Sequence, residues 1–258
     1  MVLSHLLRMS NYGSILISKK IQMPFHISAK LLKHFKGFCS SSEVIMLFVY
    51  MKCRFSLSYR ELEEMAYIRG AVIDHSTLQR WVRKFVPLID QQVKKRKKPV
   101  GTSWRMDETY IKLNGRWIYL YRAVDSLGNT IEFLLRNHRD KVAAKAFFRK
   151  AFRNNYNPDK VNIDKSGSNI SALNNINDNL PDDGQIEIRQ NKYLNNIMEQ
   201  DHRFIKKRTK PMLGFKNFQS AKITITGIEN IRMIQKGQIV GADSHLYAFE
   251  NFKMLMAS

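Results

Sequence analysis

The sequence predicts a mixed α/β fold preceded by an all-helical segment, and three patterns carry that reading. Two runs rich in aromatic and β-branched residues, 104–113 and 116–125, flank Asn114-Gly115. That dipeptide tolerates positive φ at both central positions of a tight turn, so the segment reads as a β-hairpin. After a third strand, helix and strand patterns alternate, which implies a mixed sheet covered by helices. Before the hairpin, apolar residues recur at helical spacing instead.

The bulk composition narrows the class. A chain of 258 residues, 44% hydrophobic, can bury a real core in one or two domains. Its 43 Lys and Arg stand against 22 Asp and Glu, a formal charge of +21. That excess suits a polyanionic partner, either a phosphate backbone or an anionic membrane surface. The apolar run 44–51 is far short of the ~20 residues that cross a bilayer, and the N-terminus has no signal-peptide pattern. Cys39 and Cys53 lack CxxC spacing and paired histidines, which argues against a zinc site and fits a reducing compartment. An intracellular protein with no membrane association is expected.

Along the chain, residues 1 to about 22 show no periodicity, so 1–35 is expected to be a poorly ordered extension, with Met23 an alternative start. A helix is predicted over 43–52 with Ser42 as its N-cap, and a second opens at the capping box Ser58-Tyr-Arg-Glu61 and runs to about Ala66. A turn at 69–74, broken by Gly70, leads to a third helix over 75–93 with Trp81, Phe85 and Leu88 as its core stripe. Helix, helix, short turn, helix is the outline of a helix-turn-helix DNA reader, with a plain three-helix bundle as the alternative. The charge favours the reader. Ser76, Thr77, Gln79 and Arg80 then suit base edges, and Arg83 and Lys84 suit phosphates. The cations Lys94 to Lys98, ended by Pro99, place a basic linker at 94–103, between a helical domain at 36–93 and a second domain at 104–240, with 241–258 as a tail.

The second domain continues with a strand over 130–136, a helix over 141–153 and a short strand over 160–163 that ends at Asp164. A helix over 169–176, a strand over 186–189 and helices over 193–207 and 218–236 complete it. Three acids stand out. Asp107 lies on the first strand, on the face of Arg105, Thr109 and Ile111, whereas alternation sends Glu108 to the face of Met106 and Tyr110. Asp164 sits where a strand ends and a loop opens, the place where open α/β sheets put functional groups. Glu199 lies on a helix with His202, Arg203 and Lys206 at the next helical repeats, all on one face. Acids from two strands and a helix can converge on a pair of Mg²⁺ ions acting on a phosphodiester. The blander readings are a solvated hairpin face and a surface ion pair between Glu199 and Arg203.

At this point the motifs resemble a known family. Leu57-Ser-Tyr-Arg-Glu-Leu-Glu-Glu-Met65, Asp74-His-Ser-Thr77 with Arg80-Trp-Val82, Trp104-Arg-Met-Asp-Glu-Thr-Tyr110 and Tyr119-Leu-Tyr-Arg-Ala-Val-Asp125 resemble the insertion sequence six family of bacterial transposases. So do Asp164-Lys-Ser-Gly167, Lys192-Tyr-Leu-Asn-Asn196, Glu199-Gln-Asp-His-Arg203 and Met212-Leu-Gly-Phe-Lys216, in the same order along the chain, from about Lys36 to Gln238. The resemblance implies a ribonuclease H-like catalytic domain whose DDE triad is Asp107, Asp164 and Glu199, with 34 residues between the last two. It implies that these acids hold two Mg²⁺ ions, with Mn²⁺ able to substitute, and that Lys206 is the basic residue two turns along the same helix. Arg203 and Lys207 are expected to touch DNA. The expected activity is binding of the element's terminal inverted repeats, strand cleavage at each end, and attack of the freed 3′-OH on target DNA by a homo-oligomer. Cointegrate formation and a cytoplasmic, nucleoid-associated location follow from the same resemblance. Two alternatives stay open: a decayed, repressor-like DNA-binding protein, and a ribonuclease H-like nuclease acting on RNA.

Overall fold

A computed structural model describes residues 25–258 apart from Lys165, residues 192–195 and Ser244. Expectations for the residues before 25, including the start at Met23, and for most of the motif beginning at Lys192 therefore fall outside the described residues. The hairpin forms as expected: β1 (Ser103–Leu113) and β2 (Arg116–Asp125) pair antiparallel. Asn114 at φ 47° and Gly115 at φ 78° supply a turn whose twist matches the strands it joins. The Asp125 carboxylate accepts from the backbone N–H groups of Leu127 and Asn129, which fixes the next turn, and β3 (Thr130–Arg136) returns antiparallel to β2.

A crossover through α5 (Lys141–Asn154) then delivers β4 (Lys160–Asn162) parallel to β1 on its other side. A second crossover through α6 (Gly167–Asn177) delivers β5 (Glu187–Arg189) parallel to β4. The strand order is β3-β2-β1-β4-β5, so the mixed α/β architecture expected from the sequence is the one observed. Strand β1 has 11 residues and β4 only 3, so β1 overhangs its parallel neighbour. That mismatch sets up the site described below.

The alternation of side chains splits the apolar residues between two cores. Trp104, Met106, Tyr121 and Ala123 pack under α5 and α6. Ile111, Ile118, Leu120 and Phe133 face the other way, in a core that includes Ile205 of α7 (Asn196–Thr209) and the apolar side of α8 (Phe218–Gln235). Asp107 shares the parity of Ile111, and Glu108 that of Met106, as period-two alternation requires.

The N-terminal helices are α2 (Ser42–Arg54), α3 (Tyr59–Ile68) and α4 (His75–Arg96). Ser58 and Glu61 form the predicted capping box. The first cap is Ser41 rather than Ser42, because Ser41 Oγ accepts from Val44 N whereas the Ser42 hydroxyl donates to Glu43. These helices share one core with α8 and with α9 (Ala248–Ala257), a helix that the sequence reading left in the tail. At the middle of α8, Gly227 lets the chain pass against α2 and α4, since a Cβ there would overlap Cys53 Sγ and press on Val86.

Two expectations about the ends and joints are corrected. Residues 25–35 are not a loose extension: they include α1 (Ala29–Leu32), bury Leu31, and stack Phe35 on Phe85 at 4.4 Å between ring centroids. Ser28 N also donates to Met256 O on α9. The stretch 94–103, expected as a basic linker, is partly helical and tied down at Lys97. Lys94, Lys95 and Arg96 close α4, where cations meet the helix's C-terminal carbonyls. Lys97 Nζ turns inward to the Ile131 carbonyl and to Asn155 Oδ1.

Candidate active site

The site begins with register. The last β1–β4 pair is Arg105 with Asn162, and two residues further along each strand bring Asp107 level with Asp164. Because β4 ends at Asn162, no described strand covers the edge of β1 beside Asp107, and side chains from both faces can turn toward it. Asp107 comes from the α7 face and Glu108 from the face of α5 and α6. One carboxylate oxygen each from Asp107, Glu108 and Asp164 lies within 4.8 Å of the others.

Several groups hold this cluster. Glu108 N donates to Asp107 Oδ1 at 2.8 Å, and Ser166 N, at the start of α6, donates to Asp164 Oδ1 at 3.1 Å. Arg139 Nη2 spans Glu108 Oε2 at 3.3 Å and Asp164 Oδ2 at 3.0 Å. Asn169 Nδ2 donates to Glu108 Oε1 at 3.1 Å, while its own Oδ1 is buried without a hydrogen-bond partner among the described residues. Burial, with repulsion from Glu108 and Asp164, pushes Asp107 up to about 6 against the opposing pull of Arg139. Burial also raises Glu108.

Crowded carboxylates and an unsatisfied amide oxygen form a hard-oxygen donor set of the kind that a small divalent cation satisfies. Asp107 and Asp164 are placed to hold one, with Glu108 buried beside them.

Helix α7 lies across the second face. Its His202 is buried with Nδ1 3.7 Å from Asp107 Oδ2, beyond hydrogen-bond range. Burial, with Arg122 and Lys206 nearby, pushes the imidazole down to about 3, so the ring is neutral at pH 7. Glu199 stands one turn earlier in the first turn of α7, exposed, and it is not among the three clustered acids. Of the four residues expected on one face of this helix, Glu199, Arg203 and Lys206 are exposed, while His202 is buried beside Asp107. Among the described residues Glu199 and Arg203 form no ion pair, and Lys207 is exposed on the next turn.

A buried ionic network anchors α7. Arg122, directly opposite Asp107 in the β1–β2 register, bonds Glu229 of α8 through Nε at 2.5 Å and Asp201 of α7 through Nη2 at 2.9 Å. Lys236 Nζ reaches the same Asp201 oxygen at 2.9 Å. Burial would raise Asp201, but Arg122 and Lys236 outweigh it and hold the carboxyl at about 2.

On α4, Asp74 caps the helix and accepts from both the N–H groups and the hydroxyls of Ser76 and Thr77. Arg80 Nη2 donates to Thr77 Oγ1. Gln79, Arg80, Arg83 and Lys84 are exposed along the helix, whereas the hydroxyls of Ser76 and Thr77 are engaged by Asp74.

Sequence reasoning missed Glu108, Arg139 and Asn169 as members of the acid cluster, and Arg122, Asp201 and Glu229 as the anchor. A signal existed for Arg122, a charged residue in the middle of an apolar strand. None existed for Asn169.

Residues 101–238 match the DDE domain described as DDE_Tnp_IS240. The transposase of the insertion sequence-like element IS431mec of Staphylococcus aureus is 38% identical over 198 residues, 76% of this chain and 86% of its own. The chain belongs to the insertion sequence six family of DDE transposases. The transposase of IS257 in transposon Tn4003, also from Staphylococcus aureus, is likewise 38% identical over 198 residues, with the same coverage. The catalytic core of HTLV-2 integrase, solved in complex with magnesium, superposes with a TM-score of 0.41 and 14% identity over 53% of this chain and 88% of that one. The BIV integrase core gives 0.39 and 13%, over 58% and 92%. As a DDE transposase, the protein acts on DNA in transposition. No described helix is long and apolar enough to cross a membrane.

Proposed function

We propose that this transposase cuts the ends of its own insertion sequence and joins the freed 3′-OH to target DNA, with Asp107, Asp164 and Glu199 as its metal-binding triad. The observation that carries the reading is the register that sets Asp107 level with Asp164, their carboxylates gathered with that of Glu108. Divalent cations, Mg²⁺ or Mn²⁺, would supply Lewis-acid stabilisation of the attacking and leaving oxygens when bound. The acids themselves remain free of covalent links to DNA: water attacks the phosphorus at the element end, and the 3′ oxygen leaves. That oxygen then attacks a target phosphodiester, displacing the target's own 3′ oxygen.

The remaining residues position the reaction. Helix α7 carries Glu199 one turn from His202, which faces Asp107, so the third acid approaches from the α7 side of the sheet. Lys206, two turns along, faces the DNA with Arg203 and Lys207. Arg139 and Asn169 hold Glu108 and Asp164 in place. Helices α2 to α4 act as the helix-turn-helix reader of the inverted repeats, with Gln79, Arg80, Arg83 and Lys84 toward the duplex and Ser76 and Thr77 setting the helix start. Homo-oligomers on DNA would hold both ends together, within the nucleoid.

The test is a joining assay. Labelled duplex carrying the element's end is mixed with plasmid target, with Mg²⁺ or with EDTA. Metal-dependent joined product is expected. Specific binding of the end with no product in any metal would replace the enzyme with a decayed DNA-binding protein, and preferred cleavage of RNA–DNA hybrids would point to a ribonuclease.

A further inference from the structure

The motif Met212-Leu-Gly-Phe-Lys216 takes no part in the acid cluster, yet it is built against the same strand edge. Phe215 N donates to Lys112 O at 2.8 Å, and Asn114 N donates to Phe215 O. Gly214, at φ 98°, lies so close to the Lys112 carbonyl that a Cβ would crowd it. The preceding Leu213 adopts φ 54°, a left-handed conformation that branched residues rarely take, and it stands 90% exposed. An apolar side chain thrust into solvent from a strained turn needs something to meet.

Between this turn, α7 and the hairpin lies a cleft of 730 Å³. Tyr110 and Trp117 line it, 48% and 57% exposed, with ring centroids 6.2 Å apart on neighbouring strands. Lys112, Lys206 and Lys210 also line it, all exposed, and among the described residues its wall contains no acid. Tyr110 is three residues from Asp107 on the same uncovered edge of β1, roughly 10 Å along the strand. The other side of the 211–217 turn helps to line a second cleft with Gln79 and Arg83 of α4. The aromatic cleft thus lies between the acid cluster and the exposed polar residues of α4.

We propose that this cleft binds an unpaired stretch of the element's DNA end, with bases stacked on Tyr110 and Trp117 and phosphates on Lys112 and Lys210. Leu213 is the wedge that meets the first unstacked base. Aromatic faces interleaved with cations accept any base and track a single strand, whereas a paired duplex offers its bases no route to the rings. The inference rests on the transposase acting on DNA ends as proposed above.

The experiment compares two labelled oligonucleotides, the fully paired end and the same end with a short unpaired tail, bound to the full chain in EDTA and followed by anisotropy. The wild type should bind the tailed end about tenfold more tightly, and Tyr110→Ala with Trp117→Ala should bring it down to the level of the paired end. Tyr110→Phe with Trp117→Phe should keep the preference. Trp81 and Trp104 are buried, so quenching of tryptophan emission by the tail reports Trp117 directly. Thermal melting confirms that the variants fold. Equal affinity for both ends in the wild type, or a preference that survives in the alanine variant, overturns this inference and leaves the proposed function standing. Failure of the wild type to bind the paired end would overturn both.

Discussion

Asp107 and Asp164 stand level across the sheet because each lies two residues beyond the last β1–β4 pair, Arg105 with Asn162. Nothing in either strand alone places them together. The brevity of β4 leaves the β1 edge uncovered at that level, and Glu108 reaches the same spot from the opposite face. The architecture therefore yields a three-carboxylate cluster from the sheet and the loop after β4.

Glu108 and Glu199 should separate in function. Glu108 is buried and held by Arg139 and Asn169, so Glu108→Gln should slow joining by about ten- to a hundredfold, as expected of a group that orients the ligands. Glu199→Gln should abolish joining while binding to the element end persists. A Glu108→Gln variant as dead as Glu199→Gln in the joining assay would make Glu108 a direct metal ligand.

Asp107 sets a pH dependence in the metal-free protein. Its carboxyl is pushed up to about 6, above the ordinary aspartate range, so the folded state holds this proton where the unfolded chain has lost it. Stability linked to this group is present below about pH 4 and is lost as pH rises through about 6. Asp107→Asn should therefore stabilise the metal-free protein at pH 7.5 by on the order of 1–3 kcal/mol, with the gain vanishing near pH 4. Urea denaturation at the two pH values measures it, and equal gains at both would refute the assignment.

The buried network should be costly to break. Arg122 is fully buried between Glu229 and Asp201, so Arg122→Met leaves two carboxylates short of their partner. A loss of about 3–5 kcal/mol is expected in urea denaturation. A loss under about 1 kcal/mol would mean that Lys236 and Arg232, which reach Asp201 at 2.9 and 3.4 Å, suffice alone.

Gly227 tests whether the N-terminal helices and α8 share one core. Ala is the better helix former, yet Gly227→Ala should destabilise by about 1–3 kcal/mol through overlap with Cys53. Adding Cys53→Ala should recover part of that loss, a coupling that thermal melts of the four variants would read.

Much of this was legible in the sequence. The Asn114-Gly115 turn, strand alternation and the capping box at Ser58 are local, and they lie where local rules put them. Asp164 stood out because it sits where a strand ends and a loop opens, and Asp107 because it is a carboxylate inside a strand, where apolar groups would otherwise be buried. What was hidden depends on lengths and pairings. Alternation put Glu108 on the correct face, but it does not tell how far the neighbouring strand extends, so the meeting of Glu108 with Asp107 at the uncovered edge was hidden. The burial of His202 was hidden because helical spacing gives a stripe but not which part of it faces the sheet. Lys94 to Lys97 looked like a solvated run, yet Lys97 is drawn in by the Ile131 carbonyl and Asn155, groups far away in sequence.

If Asp107, Asp164 and Glu199 work together on DNA through a divalent metal, joining needs all three. The most direct measurement is strand transfer with Mg²⁺ by the wild type beside Asp107→Asn, Asp164→Asn and Glu199→Gln, each first verified to bind the element end. Joined product is expected from the wild type alone, and none from any of the three variants. Joining retained by any one of them at near wild-type rate would remove that residue from the triad and contradict the account.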